Sequence, residues 1–250
     1  MGEQQLSEDG FDFEDQFGEI DDQLDLTLYA DAAELIAEVV AQLLQCVEEG
    51  LTADGRFDLA LTGGTLGLGI SNRLVEILNQ NSSDFAGLHI WWSDERFVES
   101  DSDERNALPF HGKLTNSNIV VHEIISSDAG SAVDARNDYE SKLKDVTLNL
   151  VILGLGPDGH VASIFPGRAD LDDLNKTFLI EDSPKPPPVR ISFTMATINS
   201  ADKVWIVATG EAKADAVTKI IEADLSIPAS YVRGSRHTRL IVDTEAFFAE

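Results

Sequence analysis

The sequence predicts an α/β fold: a wound, mostly parallel sheet flanked by helices, in a single domain spanning residues 23–250. Two observations carry this. Strand-like and helix-like segments alternate along most of the chain, the mark of crossover βαβ connections. Leu150–Leu153 has no polar face, as expected of a strand covered on both sides, and it runs straight into a glycine-rich turn.

Residues 1–22 are rich in Asp and Glu, contain no Lys or Arg, and are expected to form an acidic solvated tail. Leu24–Tyr29 then alternates like a strand. Asp31-Ala-Ala-Glu34 has the form of a capping box, opening a helix whose apolar residues are Leu35, Ile36, Val39, Val40, Leu43, Leu44 and Val47, with Gly50 fitting its end. Strand Asp58–Leu61 leads into a helix over about 66–79, and strand Leu88–Trp92 into a polar loop reaching about Ser102. A short helix over 104–113, a strand over 119–122, a helix over 129–143 and a strand over 149–153 follow. Further strands are expected at Thr177–Ile180, Arg190–Thr194, Lys203–Ala208 and Arg239–Val242, with a helix over 211–222. Pro184-Lys-Pro-Pro-Pro188 reads as a stiff, extended lead-in to Arg190.

Acidic residues number 45 against 18 basic ones, a formal charge of −27. Such a field repels nucleic acid and anionic membranes, so neither is expected as a partner. It also repels a phosphorylated metabolite unless basic side chains converge locally. Cys46 is the only cysteine, which rules out an internal disulfide and makes a reducing compartment the default. No signal-peptide pattern opens the chain and no apolar run approaches the ~18 residues of a membrane span, so a cytoplasmic location is expected. The sequon Asn81-Ser82-Ser83 is then idle.

Chemistry-bearing residues gather where strands end, the place at which parallel sheets bind ligands. Gly154-Leu-Gly-Pro-Asp-Gly159 matches the dinucleotide fingerprint, but Pro166-Gly167 cuts off any helix within about two turns. The glycines are better read as a tight turn, with Asp158 and Gly159 in it, that presents His160. Imidazole can take and return protons near neutral pH, so His160 is the candidate catalytic residue. Gly63-Gly64-Thr65 follows a strand and opens a helix; its backbone amides, its hydroxyl and the positive helix end form a candidate anion site, with an ordinary βα turn as the alternative. Gly210 precedes Lys213 in the first turn of a helix, where a cation is unfavourable unless an anionic ligand offsets it. In Ser93-Asp94-Glu95-Arg96, Asp94 or Glu95 can orient a ligand or act as a base, and Arg96 can bind phosphate or carboxylate through its planar fork. Arg190 is a further candidate anion ligand.

His89, His111, His122 and His237 show no ligand spacing with Cys, Asp or Glu, so no metal is expected, and with the dinucleotide reading set aside no cofactor is expected either. No Gly-x-Ser-x-Gly elbow supports a serine hydrolase, although Ser163 lies three residues after His160.

Leu61-Thr-Gly-Gly-Thr65, Trp92-Ser-Asp-Glu-Arg-Phe-Val98, the run from Leu153 to Gly167, Arg190-Ile-Ser-Phe-Thr194, Gly210-Glu-Ala-Lys213 and Ile227-Pro-Ala-Ser230 resemble, in this order, the 6-phosphogluconolactonases of the pentose phosphate pathway. The resemblance spans about residue 25 to the C-terminus. It implies a modified Rossmann-like fold and metal-free hydrolysis of a phosphorylated δ-lactone to 6-phosphogluconate. It also implies His160 as the general base that activates water. Gly63, Gly64, Thr65, Arg96, Arg190 and Lys213 fall on the family's phosphate and substrate positions. Asp94, Glu95, Asp158 and Gly159 fall in supporting places. The implied partner is a small sugar-phosphate lactone, and the protein is expected to be a monomer or weak homo-oligomer. Departures from the usual pattern are Pro157 where Glu is common, Val161 where Thr is common, and Arg105-Asn106 where Ser-Asn is usual.

Two other readings compete. A glucosamine-6-phosphate deaminase or isomerase would share the fold and phosphate loop, but it continues its Gly-His turn into Phe-Asn-Glu-Pro, whereas this chain continues as Ala162-Ser-Ile-Phe-Pro166. A sugar-phosphate-sensing module of a transcription regulator would need a basic DNA-binding segment, which the acidic N-terminus does not supply.

Overall fold

The computed structural model describes residues 24–80, 85–167 and 173–248; the acidic segment 1–22 and the sequon at Asn81 lie outside them. Strand β1 (Leu24–Tyr29) is followed by helix α1 (Ala32–Asp54). Asp31 caps α1 by accepting the amides of Ala33 and Glu34 at 2.8 and 2.9 Å, and the Glu34 carboxylate reaches back to the Ala30 amide at 2.7 Å. Gly50 does not end this helix. It lies inside it, where a side chain would collide with the Phe57 ring, and the true cap is Gly55.

The chain continues through β2 (Phe57–Leu61), α2 (Gly64–Gln80), β3 (Leu88–Trp92), β4 (Asp94–Arg96), β5 (Val120–Val121), α3 (Ala132–Leu143) and β6 (Leu150–Gly154). Then come β7 (Thr177–Ile180), β8 (Arg190–Phe193), α4 (Met195–Asn199), β9 (Lys203–Ala208), α5 (Ala214–Ile221), β10 (His237–Asp243) and α6 (Thr244–Phe247). The helix expected over 104–113 is a series of turns, with Pro109 and Gly112 interrupting it. The helix expected over 211–222 is split: a 3₁₀ turn at Glu211–Lys213 precedes α5. Thr194, expected in a strand, instead caps α4 through its hydroxyl, 3.2 Å from the Thr197 amide.

Seven strands form one sheet in the order β1-β10-β9-β6-β2-β3-β5, every pair parallel. Alternate residues of its central strands enter opposite cores, as the two-residue strand period requires. Leu59, Leu61, Ile90, Trp92 and Ile152 pack with Leu43 of α1 and Leu74 of α2. Ala60, Trp91, Val151 and Leu153 pack with Tyr139 of α3 and Val217 of α5. Both faces are therefore covered, which accounts for the uniformly apolar Leu150–Leu153. No helix among the described residues is long and apolar enough to cross a membrane.

The order of strands positions the site. From β2 the chain winds outward to β3 and β5; from β6, beside β2, it winds the other way to β9 and β10. The carboxyl ends of β2 and β6 thus flank a topological switch point, where the two departing loops leave a crevice. Gly63 and Gly154 open those loops, and the Thr62 hydroxyl accepts the Gly154 amide at 3.2 Å, tying them together. A second, three-stranded antiparallel sheet, β4-β8-β7, which the sequence reading did not anticipate, stands beside the crevice.

Candidate active site

A cleft of about 220 Å³ opens at the switch point, lined by Gly63, Gly64, Asp94, Arg96, Asn106, Gly156, His160, Lys185, Arg190 and Lys213 among others. The turn after β6 supplies the imidazole. The Gly159 amide donates to the Gly156 carbonyl and the Gly156 amide to the His160 carbonyl, both at 2.9 Å, so Asp158 and His160 leave one tight loop together. Gly156 packs under the ring so closely that a β-carbon there would overlap His160 Nδ1 and approach Asp158 Oδ1 to 2.5 Å. On its far side the turn is held by the Ala229 amide, which donates to the Gly159 carbonyl at 3.0 Å.

His160 Nδ1 bonds Asp158 Oδ1. A carboxylate can only accept, so Nδ1 carries the hydrogen and Nε2 holds the lone pair. The ring packs on Phe165, 4.7 Å between centroids. Burial holds the imidazole pKa below its ordinary value, partly opposed by the Asp158 carboxylate and assisted by the Lys185 ammonium. For Asp158, burial alone would raise the pKa, but hydrogen bonds from His160 and Lys185 and their charges overcome it and bring it down to about 2. The imidazole is thus oriented by an ionised carboxylate and is itself neutral at neutral pH.

The small antiparallel sheet supplies the facing wall. β4 and β8 pair Asp94 with Ser192 and Arg96 with Arg190. Alternation turns Asp94 and Arg96 to the cleft and Glu95 away from it. Two guanidiniums directly opposite each other repel. That arrangement is eased by Asp94, whose Oδ2 lies 3.9 Å from Arg190 Nη1, and suits an anion between them. Glu95 instead lies buried and accepts the amides of Arg96, Asn106 and Ala107 at 2.8–2.9 Å, pinning the 105–107 loop to the sheet. Burial pushes its carboxyl up to about 7 against the pull of Arg105 and these amides.

Arg190 is 4% exposed and much of its donor capacity is committed: Nε to the Pro187 carbonyl at 3.1 Å, and Nη2 to those of Lys185 and Pro186 at 2.9 and 3.0 Å. Arg96 gives Nη1 to the Glu104 carbonyl at 2.6 Å, while its buried Nε has no partner among the described residues. Lys213 reaches the cleft from the turn after β9, which the Asp243 carboxylate steadies by accepting the Gly210 amide at 3.0 Å. Burial and the neighbouring Lys185 charge lower the Lys213 pKa. Thr65 lines an adjoining cavity of about 350 Å³ that shares Gly63, Gly64 and Lys213 with the cleft. The first amides of α2, which have no carbonyl within the helix to bond, begin here. Four cationic side chains, Arg96, Lys185, Arg190 and Lys213, therefore line the cleft with Asp94 as its one lining carboxylate among the described residues, and Asp158 stands behind His160 and Lys185, in a chain of charge −27.

Ser163 is fully buried and donates to Asp94 Oδ2 at 2.6 Å, which makes it a strut between the walls and not a nucleophile. His89 and His122 pair at 2.9 Å beneath Trp91, away from the cleft, and His111 pairs with Glu123. Of the polar residues lining the cleft, sequence reasoning did not single out Thr62, Asn106 or Lys185 as site groups. Lys185 stood in a proline tract read only as a lead-in to Arg190, and Asn106 entered only within the Arg105-Asn106 pair, with no role assigned.

The family described as glucosamine-6-phosphate isomerases/6-phosphogluconolactonase matches residues 30–242. A 6-phosphogluconolactonase of Streptomyces coelicolor is 33% identical over 234 residues, covering 85% of this chain and 90% of that protein. A probable 6-phosphogluconolactonase of Arabidopsis thaliana is 34% identical, covering 86% and 88%. Among solved structures, the 6-phosphogluconolactonase of Thermotoga maritima superposes with a TM-score of 0.78 at 27% identity, over 89% of this chain and all of that one. A monomeric glucosamine-6-phosphate deaminase shares the fold at a TM-score of 0.71 and 17% identity, covering 89% of this chain and 98% of that one.

Proposed function

The chain belongs to the glucosamine-6-phosphate isomerase/6-phosphogluconolactonase family, and from its cleft we propose that it hydrolyses 6-phospho-D-glucono-1,5-lactone to 6-phosphogluconate with His160 as the general base. Lactone hydrolysis is the activity for which its relatives are named. The observation that carries the residue roles is the His160 imidazole, held by Asp158 and facing a wall of cations at the switch point. Nε2 takes a proton from water as the water oxygen bonds to the lactone carbonyl carbon. The tetrahedral intermediate then breaks its bond to the ring oxygen, which receives the proton back from the imidazolium and leaves as a hydroxyl. Neither step requires a cofactor. The phosphate is held by Lys213 and the amides from Gly63 to Thr65, with Arg96 and Arg190 on the opposite wall.

The deciding assay follows acid release from 6-phosphogluconolactone, corrected for spontaneous hydrolysis, beside ammonia release from glucosamine 6-phosphate. Turnover of the second substrate alone would overturn the reading. The pH dependence follows from the environment of His160. The active form is the neutral imidazole and burial lowers its pKa, so kcat/KM is expected to stay level through neutral pH and fall only as pH drops below the ordinary histidine range. A midpoint above that range would contradict it. Replacing Lys213 by Ala should raise KM about 10–100-fold, the worth of a charge-assisted hydrogen bond to phosphate, with a smaller change in kcat. Steady-state kinetics showing kcat loss at unchanged KM would remove Lys213 from phosphate binding.

The same reading takes the protein as cytoplasmic, monomeric or weakly self-associating, with residues 1–22 a solvated acidic tail ahead of the 23–250 domain.

A further inference from the structure

We propose that Lys185 is a positioning residue for His160: by sharing the one carboxylate oxygen that steadies the imidazole, it limits how far Asp158 can stabilise the imidazolium. The proposal rests on the general-base reading of His160.

Asp158 Oδ1 receives both His160 Nδ1 and, at 3.0 Å, Lys185 Nζ. Lys185 Nζ also lies 3.1 Å from His160 Nδ1. One acceptor thus faces two donors. Nδ1 already gives its hydrogen to Oδ1, so the ammonium and the ring are not hydrogen-bonded to each other. They are a fixed cation and a ring that becomes a cation in mid-reaction. Lys185 draws on the carboxylate's charge and opposes protonation of the ring by direct repulsion.

The lysine is held in this place. Its carbonyl accepts Arg190 Nη2 at 2.9 Å, and the same guanidinium bonds the carbonyls of Pro186 and Pro187. The Ser183 hydroxyl donates to the Lys185 carbonyl at 2.9 Å. Arg190 is itself buried in β8. The proline tract is therefore a stiff arm anchored in the small sheet, with its ammonium set against the catalytic turn of the large one. The other charges facing His160 are Asp158 from its own turn, Asp94 from β4, and Lys213 across the cleft. Arg190 stands beyond Phe165, its guanidinium 5.8 Å from the ring centroid.

The consequence concerns both halves of the reaction. An imidazolium less stabilised by Asp158 is a stronger acid, so the proton taken from water is returned more readily to the departing ring oxygen. Lys185 thereby trades some basicity in the first step for acidity in the second.

The test compares background-corrected pH profiles of kcat/KM for the wild type and the variants Lys185→Met, Lys185→Gln and Lys185→Arg. The His160 ring is titrated by NMR in each. In the Met and Gln variants both the acid limb and the ring titration should move to higher pH, so that the ratio of kcat/KM at pH 6 to that at pH 8 falls about threefold or more. Lys185→Arg should restore the wild-type midpoint. A ring titration that is unmoved or displaced to lower pH in both neutral variants would overturn the proposal. The NMR measurement needs only folded protein, so loss of turnover does not hide the answer. A wild-type acid limb that fails to follow the His160 ring would instead remove the general-base reading, and this proposal with it.

Discussion

Replacing His160 by Ala is expected to lower kcat/KM about 10²–10⁴-fold, the usual contribution of a positioned general acid–base, while leaving the fold intact. The size follows from its double duty: the same nitrogen removes a proton from water and returns it to the ring oxygen, so its loss slows both halves. The fold should survive because the ring lies at the cleft, its side chain 17% exposed, and the turn is held by backbone bonds from Gly156, Gly159 and Ala229. Lactone assays on protein with an unchanged circular dichroism spectrum and melting temperature check it. A rate within a few-fold of wild type would mean that another group activates the water.

The second large effect is expected from a residue with no side chain. Gly156→Ala should cost on the order of 10²-fold in kcat, comparable to other displacements of about 1 Å at a reacting centre. Its β-carbon would fall 2.1 Å from His160 Cε1 and 2.5 Å from Asp158 Oδ1, so either the ring or the carboxylate must leave its place. The loss should appear in kcat with little change in KM, because the cations of the facing wall are untouched. A crystal structure of the variant should show the Nδ1 to Oδ1 bond broken or rotated. Wild-type kcat would show that the turn accommodates the methyl group and that its geometry is not held as tightly as the contacts imply.

The parts of the fold that repeat were legible from the chain alone. Each βα unit of the large sheet announces itself by a buried strand, a glycine turn and an apolar helical stripe, and the site loops follow at the strand ends by a general rule of wound sheets. The small sheet was not legible. Asp94-Glu95-Arg96 has no strand-forming residue and is a strand only because β8 pairs with it, so the alternation that sends Arg96 into the cleft and Glu95 into the interior could not be read in advance. Lys185 was hidden for a similar reason: nothing local says that a lysine among prolines reaches a carboxylate 27 positions earlier. The helix expected over 104–113 failed because turn-forming Pro109 and Gly112 outweighed its apolar spacing.

The pairing of β1 with β10 joins Leu24 to Thr238, nearly the two ends of the described chain. Among the described residues, β10 is the only strand to which β1 bonds. This is the most distant pairing along the chain in the seven-stranded sheet, and a contact of such sequence separation carries the largest loop-closure entropy. The same closure reaches the cleft: Asp243, which pairs with Tyr29 of β1, also accepts the Gly210 amide ahead of Lys213, so the two ends of the described chain meet at a strand that supports one wall of the site.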